Sequence, residues 1–261
     1  MRDLRMLLED LVNGKISIDE VEKTIRDYSV AIVGDFASVD LGRHGRKGIP
    51  EVVFAQHKDD SEVLEIVRAM VSINGFALVA RAKESHEKTL REALPHCFFR
   101  VSGRGEHLTI LAWKTEWTLP TPIGKIAIIT AGTSDVPLAE EAAAVARVMG
   151  VESVMFHDVG VAGIHRLLEP IRRLRDDDVA AVIVVAGMEG ALPAVVTALV
   201  DVPVIGLPSP TGYGFGGEGV GALTSMLQSC SPGLAVVNIG NGIGAGAFAA
   251  LVARARARCT T

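Results

Sequence analysis

Two regular patterns of apolar and polar positions divide this chain. From residue 125 onward, short apolar runs alternate with longer stretches whose apolar residues recur every three to four positions. The spacing predicts strands over 125–130, 152–157, 180–186, 203–206 and 234–239, and helices over 136–149, 164–175, 190–200, 218–229 and 243–257. These strands are β-branched and apolar at nearly every position, so both of their faces are buried. A parallel sheet covered by helices on both sides follows. Upstream, strand patterns at 52–56, 76–82, 98–103 and 108–113 alternate with helical patterns at 60–72 and 84–94. Residues 3–27 predict two short helices, the second opened by Ser17, Asp19 and Glu20, which supply a capping side chain and early negative charge.

The expected fold class is therefore α/β. It comprises a C-terminal three-layer parallel-sheet domain of flavodoxin-like or Rossmann-like type over 125–261, and a smaller N-terminal α/β domain with a helical arm over 1–113. Residues 114–124 carry two prolines and no period, which suits a linker. No internal repeat or low-complexity tract interrupts the pattern.

Composition narrows the possible partners. With 49% hydrophobic and 22% charged residues the chain has material for a core, and a net charge of -5 without a dense Lys/Arg cluster excludes binding to nucleic acid or anionic lipid through a general field. The apolar stretch 234–253 is long enough to suggest a membrane span, but Asn238, Asn241 and glycines divide it, so a buried strand, a turn and a core helix fit better. The charged N-terminus lacks the apolar region of an export signal, and Cys97, Cys230 and Cys259 have no metal-ligand spacing; free thiols in a reducing cytoplasm are expected.

Candidate chemistry gathers where the C-terminal apolar runs stop. Gly132, Thr133, Ser134 and Asp135 follow a strand and precede a helix that has Pro137 in its first turn, a geometry that offers backbone N–H groups to a phosphate. Ser134 or Asp135 serves equally well as a helix cap. Asp158, His165 and Arg166 follow the next strand; the arginine can clamp a phosphate or carboxylate, and the histidine can act as acid, base or structural donor. Gly187, Met188 and Glu189 follow the third, and a carboxylate at the mouth of an apolar strand needs a partner or a task. Cys230 precedes Ser231, Pro232 and Gly233; a free cysteine is more often an inert small hydrophobe than a nucleophile. Residues 208–218 form a glycine-rich loop that can approach a flat ligand or a phosphate.

Taken together, GTSDVPLAEEA (132–142), DVGVAGIHR (158–166), AGMEGALPAVV (186–196) and SMLQSCSPGLAVVNIGNGIGAG (225–246) resemble the carboxylase/hydrolase family of nickel-pincer nucleotide cofactor biosynthesis, whose C-terminal domain is similar to aminoimidazole ribonucleotide carboxylase. VDLGRHGRKGIPEVVF (39–54) looks like that family's N-terminal motif. The resemblance implies carboxylation of nicotinic acid adenine dinucleotide at pyridine C5 by CO2 or bicarbonate, and hydrolysis of its phosphoanhydride. It implies Cys230 as the nucleophile, Glu189 as the proton acceptor or ring-orienting group, and the 132–137 segment as the phosphate site. His165 and Arg166 fall where the related carboxylases carry a His-Arg pair, and Arg43 and Arg46 are expected to reach the pyridine carboxylate or the diphosphate. Met188-Glu189 stands where those carboxylases have a loop histidine, which argues against plain purine chemistry.

Mg2+ is the expected helper, its ligands unassigned, with no tightly bound organic cofactor. A homo-oligomer is expected, an octamer among the possible sizes, from the glycine-spaced pattern at 243–253 and the octameric habit of the related carboxylases. The alternatives are an aminoimidazole ribonucleotide carboxylase or mutase, and a non-catalytic nucleotide sensor.

Overall fold

The computed structural model describes residues 4–260. Two helices open it, α1 (Leu4–Val12) and α2 (Ile18–Asp27). Residue 3, where the sequence pattern begins the first helix, lies outside the described residues. An antiparallel hairpin follows, β1 (Val30–Val33) and β2 (Ala37–Asp40), then a short helix, α3 (Arg43–Lys47). Neither is predicted from the sequence, because four-residue strands and a five-residue helix are too short to show a period.

The N-terminal sheet consists of β3 (Val52–Phe54), β4 (Phe76–Ala82), β5 (Phe98–Arg104) and β6 (His107–Trp113) in the order β3-β4-β6-β5. Helix α4 (Asp60–Asn74) connects β3 to the parallel β4. It starts on a reciprocal cap, in which the Asp59 carboxylate accepts from Glu62 N and the Glu62 carboxylate accepts from Asp59 N, and it stops at Gly75 with φ of +79°. Helix α5 (Glu84–Ala93) follows β4.

The larger sheet contains β7 (Lys125–Thr130), β8 (Glu152–Phe156), β9 (Val182–Ala186), β10 (Val204–Pro208) and β11 (Leu234–Val236), in the order β8-β7-β9-β10-β11. All of its pairings are parallel. Its helices are α6 (Val136–Val148), α7 (Leu168–Asp176), α8 (Leu192–Thr197), α9 (Val220–Leu227) and α10 (Gly242–Thr260). This is the flavodoxin-like order, with its topological switch between β7 and β9.

Strand β9 shows why the apolar runs are continuous. Ile183 and Val185 join the core formed with α6 and α10, whereas Val182, Val184 and Ala186 join the core formed with Leu174, Leu192, Val196 and Met226 on the other side. The first of these cores also takes in Phe76, Leu78 and Leu111 of the N-terminal sheet. Helix α6 therefore lies between the two sheets, and its alanines at 139, 142, 143, 144 and 146 are all buried. Residues 114–124 run along this junction: Trp117 stacks on Phe76 at 4.6 Å, and Ile123 N donates to the Gly150 carbonyl.

One expectation changes. The predicted helix at 164–175 begins instead as a 3-10 turn over Val161–Leu167, because Gly163 (φ −132°, ψ 60°) interrupts the helical backbone. Small residues of α10 bring it close to α6: a Cβ on Gly246 would meet Ala142 Cα at 2.7 Å, while Phe248 and Leu251 of the same helix are exposed. Among the described residues no helix is long and apolar enough to cross a membrane.

Candidate active site

The carboxyl ends of β7 and β9 form the crevice at the switch point. After β7, Gly132 N donates to Asp135 Oδ2 at 2.9 Å, which bends the loop so that the exposed Thr133 and Ser134 face outward. Pro137, in the first turn of α6, suits this start because a proline there removes no helical hydrogen bond. Asp135 itself is buried; burial raises its carboxyl above the usual range, opposed by the Gly132 amide and the Ser209 hydroxyl. Its Oδ1 is buried without a hydrogen bond. The Ser209 hydroxyl, beside the Asp135 carboxyl, donates to Thr211 Oγ1 at 2.9 Å, so the loops after β7 and β10 adjoin here.

After β9, the Thr211 carbonyl occupies the place a side chain at Gly187 would need, and it accepts from Met188 N at 3.0 Å. Met188 has φ of +51°, a left-handed conformation that is uncommon outside glycine. Glu189 is exposed, and among the described residues nothing bonds or pairs with its carboxylate. The chain thus presents a bare carboxylate at the crevice mouth. The glycine-rich loop beyond Thr211 carries Tyr213 and Phe215 fully open to solvent.

Asp158 and Arg166 come together after β8. The guanidinium Nη1 lies 2.7 Å from Asp158 Oδ2, and Asp158 N donates to Thr130 Oγ1 at 3.3 Å. His165 does not join them: it lines an apolar groove with Ile164, Leu168 and Leu199 along α7. Arg43 and Arg46 share Asp40, Arg46 at 2.6 and 3.1 Å and Arg43 at 3.5 Å; Arg43 also lies 2.7 Å from Glu51 and lines a cleft between the two sheets.

Cys230 is an exposed free thiol. It follows α9 and precedes β11, whereas the crevice residues follow their strands. Helix α9 starts beside the crevice, where Gly221 approaches the Met188 carbonyl, and runs away from it; Gly233, just before β11, accepts from Val204 N at the start of β10. Within one chain, Cys230 therefore stands at the far end of α9 from Ser134 and Glu189. The sequence reading groups all four segments; the fold brings three together.

Three residues beyond those singled out in the sequence reach the cleft that Arg43 lines. Arg81, in β4, spreads its guanidinium to Glu141 Oε1 at 3.4 Å, Gln56 Oε1 at 2.9 Å and the Gly240 carbonyl at 2.5 Å. Glu141 is 2% exposed in the middle of α6, and burial raises its carboxyl to about 7 against the pull of Arg81. Asn241 completes the rim of this 430 Å³ cleft. A charge inside an apolar strand and another inside an alanine helix are the signals that mark the pair in the sequence, since each needs the other when buried. Arg104, at the end of β5, donates to the Thr133 carbonyl and so attaches the N-terminal sheet to the crevice loop.

Among the described residues no group of three His, Cys, Asp or Glu side chains is placed to hold a metal ion.

The fold is that of a doubly wound α/β protein with a crevice at the switch point of a five-stranded parallel sheet. The chain belongs to the AIR carboxylase family, whose model matches residues 125–259, and a LarB/PurE-like N-terminal domain matches residues 31–108. An uncharacterised protein of Methanocaldococcus jannaschii is 44% identical over 257 residues, covering 97% of this chain and 98% of that one. The N5-carboxyaminoimidazole ribonucleotide mutase of the same organism is 35% identical over 116 residues, covering 44% of this chain and 68% of the mutase. The coarse function that goes with this family is that of a carboxylase-type enzyme.

Proposed function

We propose that the protein carboxylates nicotinic acid adenine dinucleotide at pyridine C5 and hydrolyses its phosphoanhydride, giving pyridinium-3,5-biscarboxylic acid mononucleotide and AMP. The observation that carries this reading is the exposed free thiol of Cys230 on an AIR carboxylase-family sheet. An aminoimidazole is already an enamine and attacks CO2 unaided; a pyridinium ring is electron-poor and needs a nucleophile first.

The Cys230 thiolate forms a bond to C4, and the ring electrons move to the pyridinium nitrogen. In the resulting dihydropyridine, C5 is an enamine carbon and forms the new C–C bond to CO2. Loss of the C5 proton to a carboxylate and departure of the thiolate from C4 restore the aromatic ring. Cysteine suits both ends of this cycle, as a strong nucleophile and a good leaving group. Glu189, unpaired at the crevice mouth, is the group assigned to the C5 proton. The Gly132–Asp135 loop, at the positive end of α6, takes the phosphate, and Arg166, held by Asp158, is its cationic neighbour. Water attacks the phosphoanhydride in the second half-reaction and AMP departs; a Mg2+ ion would supply charge neutralisation for this step.

Since Cys230 and Glu189 lie at opposite ends of α9 in one chain, this chemistry requires a second copy that brings its thiol to the first copy's crevice. A homo-oligomer is thus part of the proposal. Mass spectrometry of the products after incubation with nicotinic acid adenine dinucleotide, Mg2+ and bicarbonate tests it: the dicarboxylated mononucleotide and AMP are expected, and unchanged substrate sinks it.

A second reading, aminoimidazole ribonucleotide carboxylation or carboxylate migration, is favoured by the likeness to the mutase. It gives Cys230 no role, and incubation with the aminoimidazole ribonucleotide under bicarbonate separates the two.

A further inference from the structure

A cleft of about 870 Å³ lies far from the crevice, at the amino ends of β7 and β8. Its walls are the proline segment with Pro120 and Pro122, the edge strand β8, and four cations: Arg100 on β5, Lys125 on β7, Arg147 at the end of α6 and Arg173 on α7. Two carboxylates oppose them, Glu152 and Asp177. Asp177 is already shared, 3.8 Å from Lys125 and 3.7 Å from Arg173. The cleft is therefore cationic on a chain whose net charge is -5.

Arg100 and Arg147 are the unusual members. Neither guanidinium has a hydrogen bond, ion pair or ring contact among the described residues. Arg147 is half-buried, and burial together with the positive field of Arg100 disfavours its charged form, with Glu140 giving partial relief. Two guanidiniums held near one another without an anion are destabilising by themselves, and a buried or half-buried polar group without a partner calls for one. Planar forks that face a common space match the oxygens of a phosphoryl group. Strand β8 is the edge of its sheet, so alternate N–H groups point away from β7 along this cleft. The volume exceeds what a phosphate ion needs, and Leu119, the prolines and Met155 give the remaining wall an apolar character.

We infer that this cleft is a second anion site that binds a small phosphate ester, with the phosphoryl group between Arg100 and Arg147 and the organic part along the proline wall. This inference does not rest on the reaction assigned to the crevice.

Calorimetric titration of the full chain with AMP, and separately with inorganic pyrophosphate, tests it. The proteins compared are the wild type, R100M, R147M and S134A, the last perturbing the crevice loop. The cleft's own binding step for AMP is expected to persist in S134A, where only a step belonging to the crevice changes, and to weaken at least about tenfold in either arginine variant, the loss that goes with one charge-assisted hydrogen bond. R147M is also expected to melt higher than the wild type without ligand, because it removes a half-buried cation facing another. R100M, altered at an exposed position, keeps the test intact if R147M does not fold.

Absence of AMP binding to the wild type overturns the inference, as does weakening by S134A but not by R100M, which would return the anion to the crevice. Binding of pyrophosphate without AMP overturns the ester assignment. Loss of self-association in R147M without any anion binding would give the pair to a subunit contact.

Discussion

Arg81 of the N-terminal sheet and Glu141 of α6 meet across the two halves of the chain, with Nε 3.4 Å from Oε1. The arginine holds a backbone φ of +53°, and its ring partner Phe54 lies 4.8 Å from the guanidinium carbon. The pair fixes Gly240, and with it the turn after β11, to the N-terminal sheet.

Stability should fall with rising pH because of this carboxyl. Its folded value of about 7 lies above the ordinary 4.5, so the folded chain binds the extra proton in that window, and the associated stability is lost as pH rises through it. The ceiling on the effect is about 3 kcal/mol. Glu141→Gln removes the titration and should give a flatter profile between pH 5 and pH 8. Urea melts of both proteins at pH 5 and pH 8 check this, and equal slopes would refute it.

Cys230→Ala and Glu189→Gln should each lose carboxylation by about a hundredfold or more. Co-expressed, the two dead variants should recover activity, to about a quarter of wild type for random pairing of two chains, since a mixed pair rebuilds one site from the intact Cys230 of one copy and the intact Glu189 of the other. Mixed oligomers that stay inactive would count against a shared site. A folded Cys230→Ala that carboxylates at the normal rate would falsify the covalent mechanism itself.

Gly187→Ala places a methyl group against the Thr211 carbonyl. The loop after β10 must move away from the Met188 amide, at a cost of roughly 1–3 kcal/mol. Substrate affinity should drop more than melting temperature, as read by dinucleotide titration and a thermal melt; unchanged affinity would mean that the loop takes no part in binding.

The architecture of the larger domain was legible because period and burial agree. The apolar run at 125–130 becomes β7 with the predicted bounds, and 76–82 becomes β4 likewise. What escaped was set by chain geometry at a distance. Arg81 and Glu141 are separated by 60 residues, and nothing local in either segment indicates its partner. Gly163 looked like one more loop glycine until its backbone angles turned the start of α7 into a 3-10 turn. The placement of Cys230 was available in principle, because a residue before a parallel strand and a residue after one sit at opposite edges of the sheet.

Helix α6 follows Asp135, carries Glu141 at its middle and Arg147 near its end. Its 13 residues make a rod about 20 Å long, clamped between two sheets by alanines that leave no room for bending. Its first turn borders the crevice, Glu141 lines the interdomain cleft and Arg147 lines the cationic cleft. Three separate surfaces of this protein thus share one rigid helix, which fixes the distances between them.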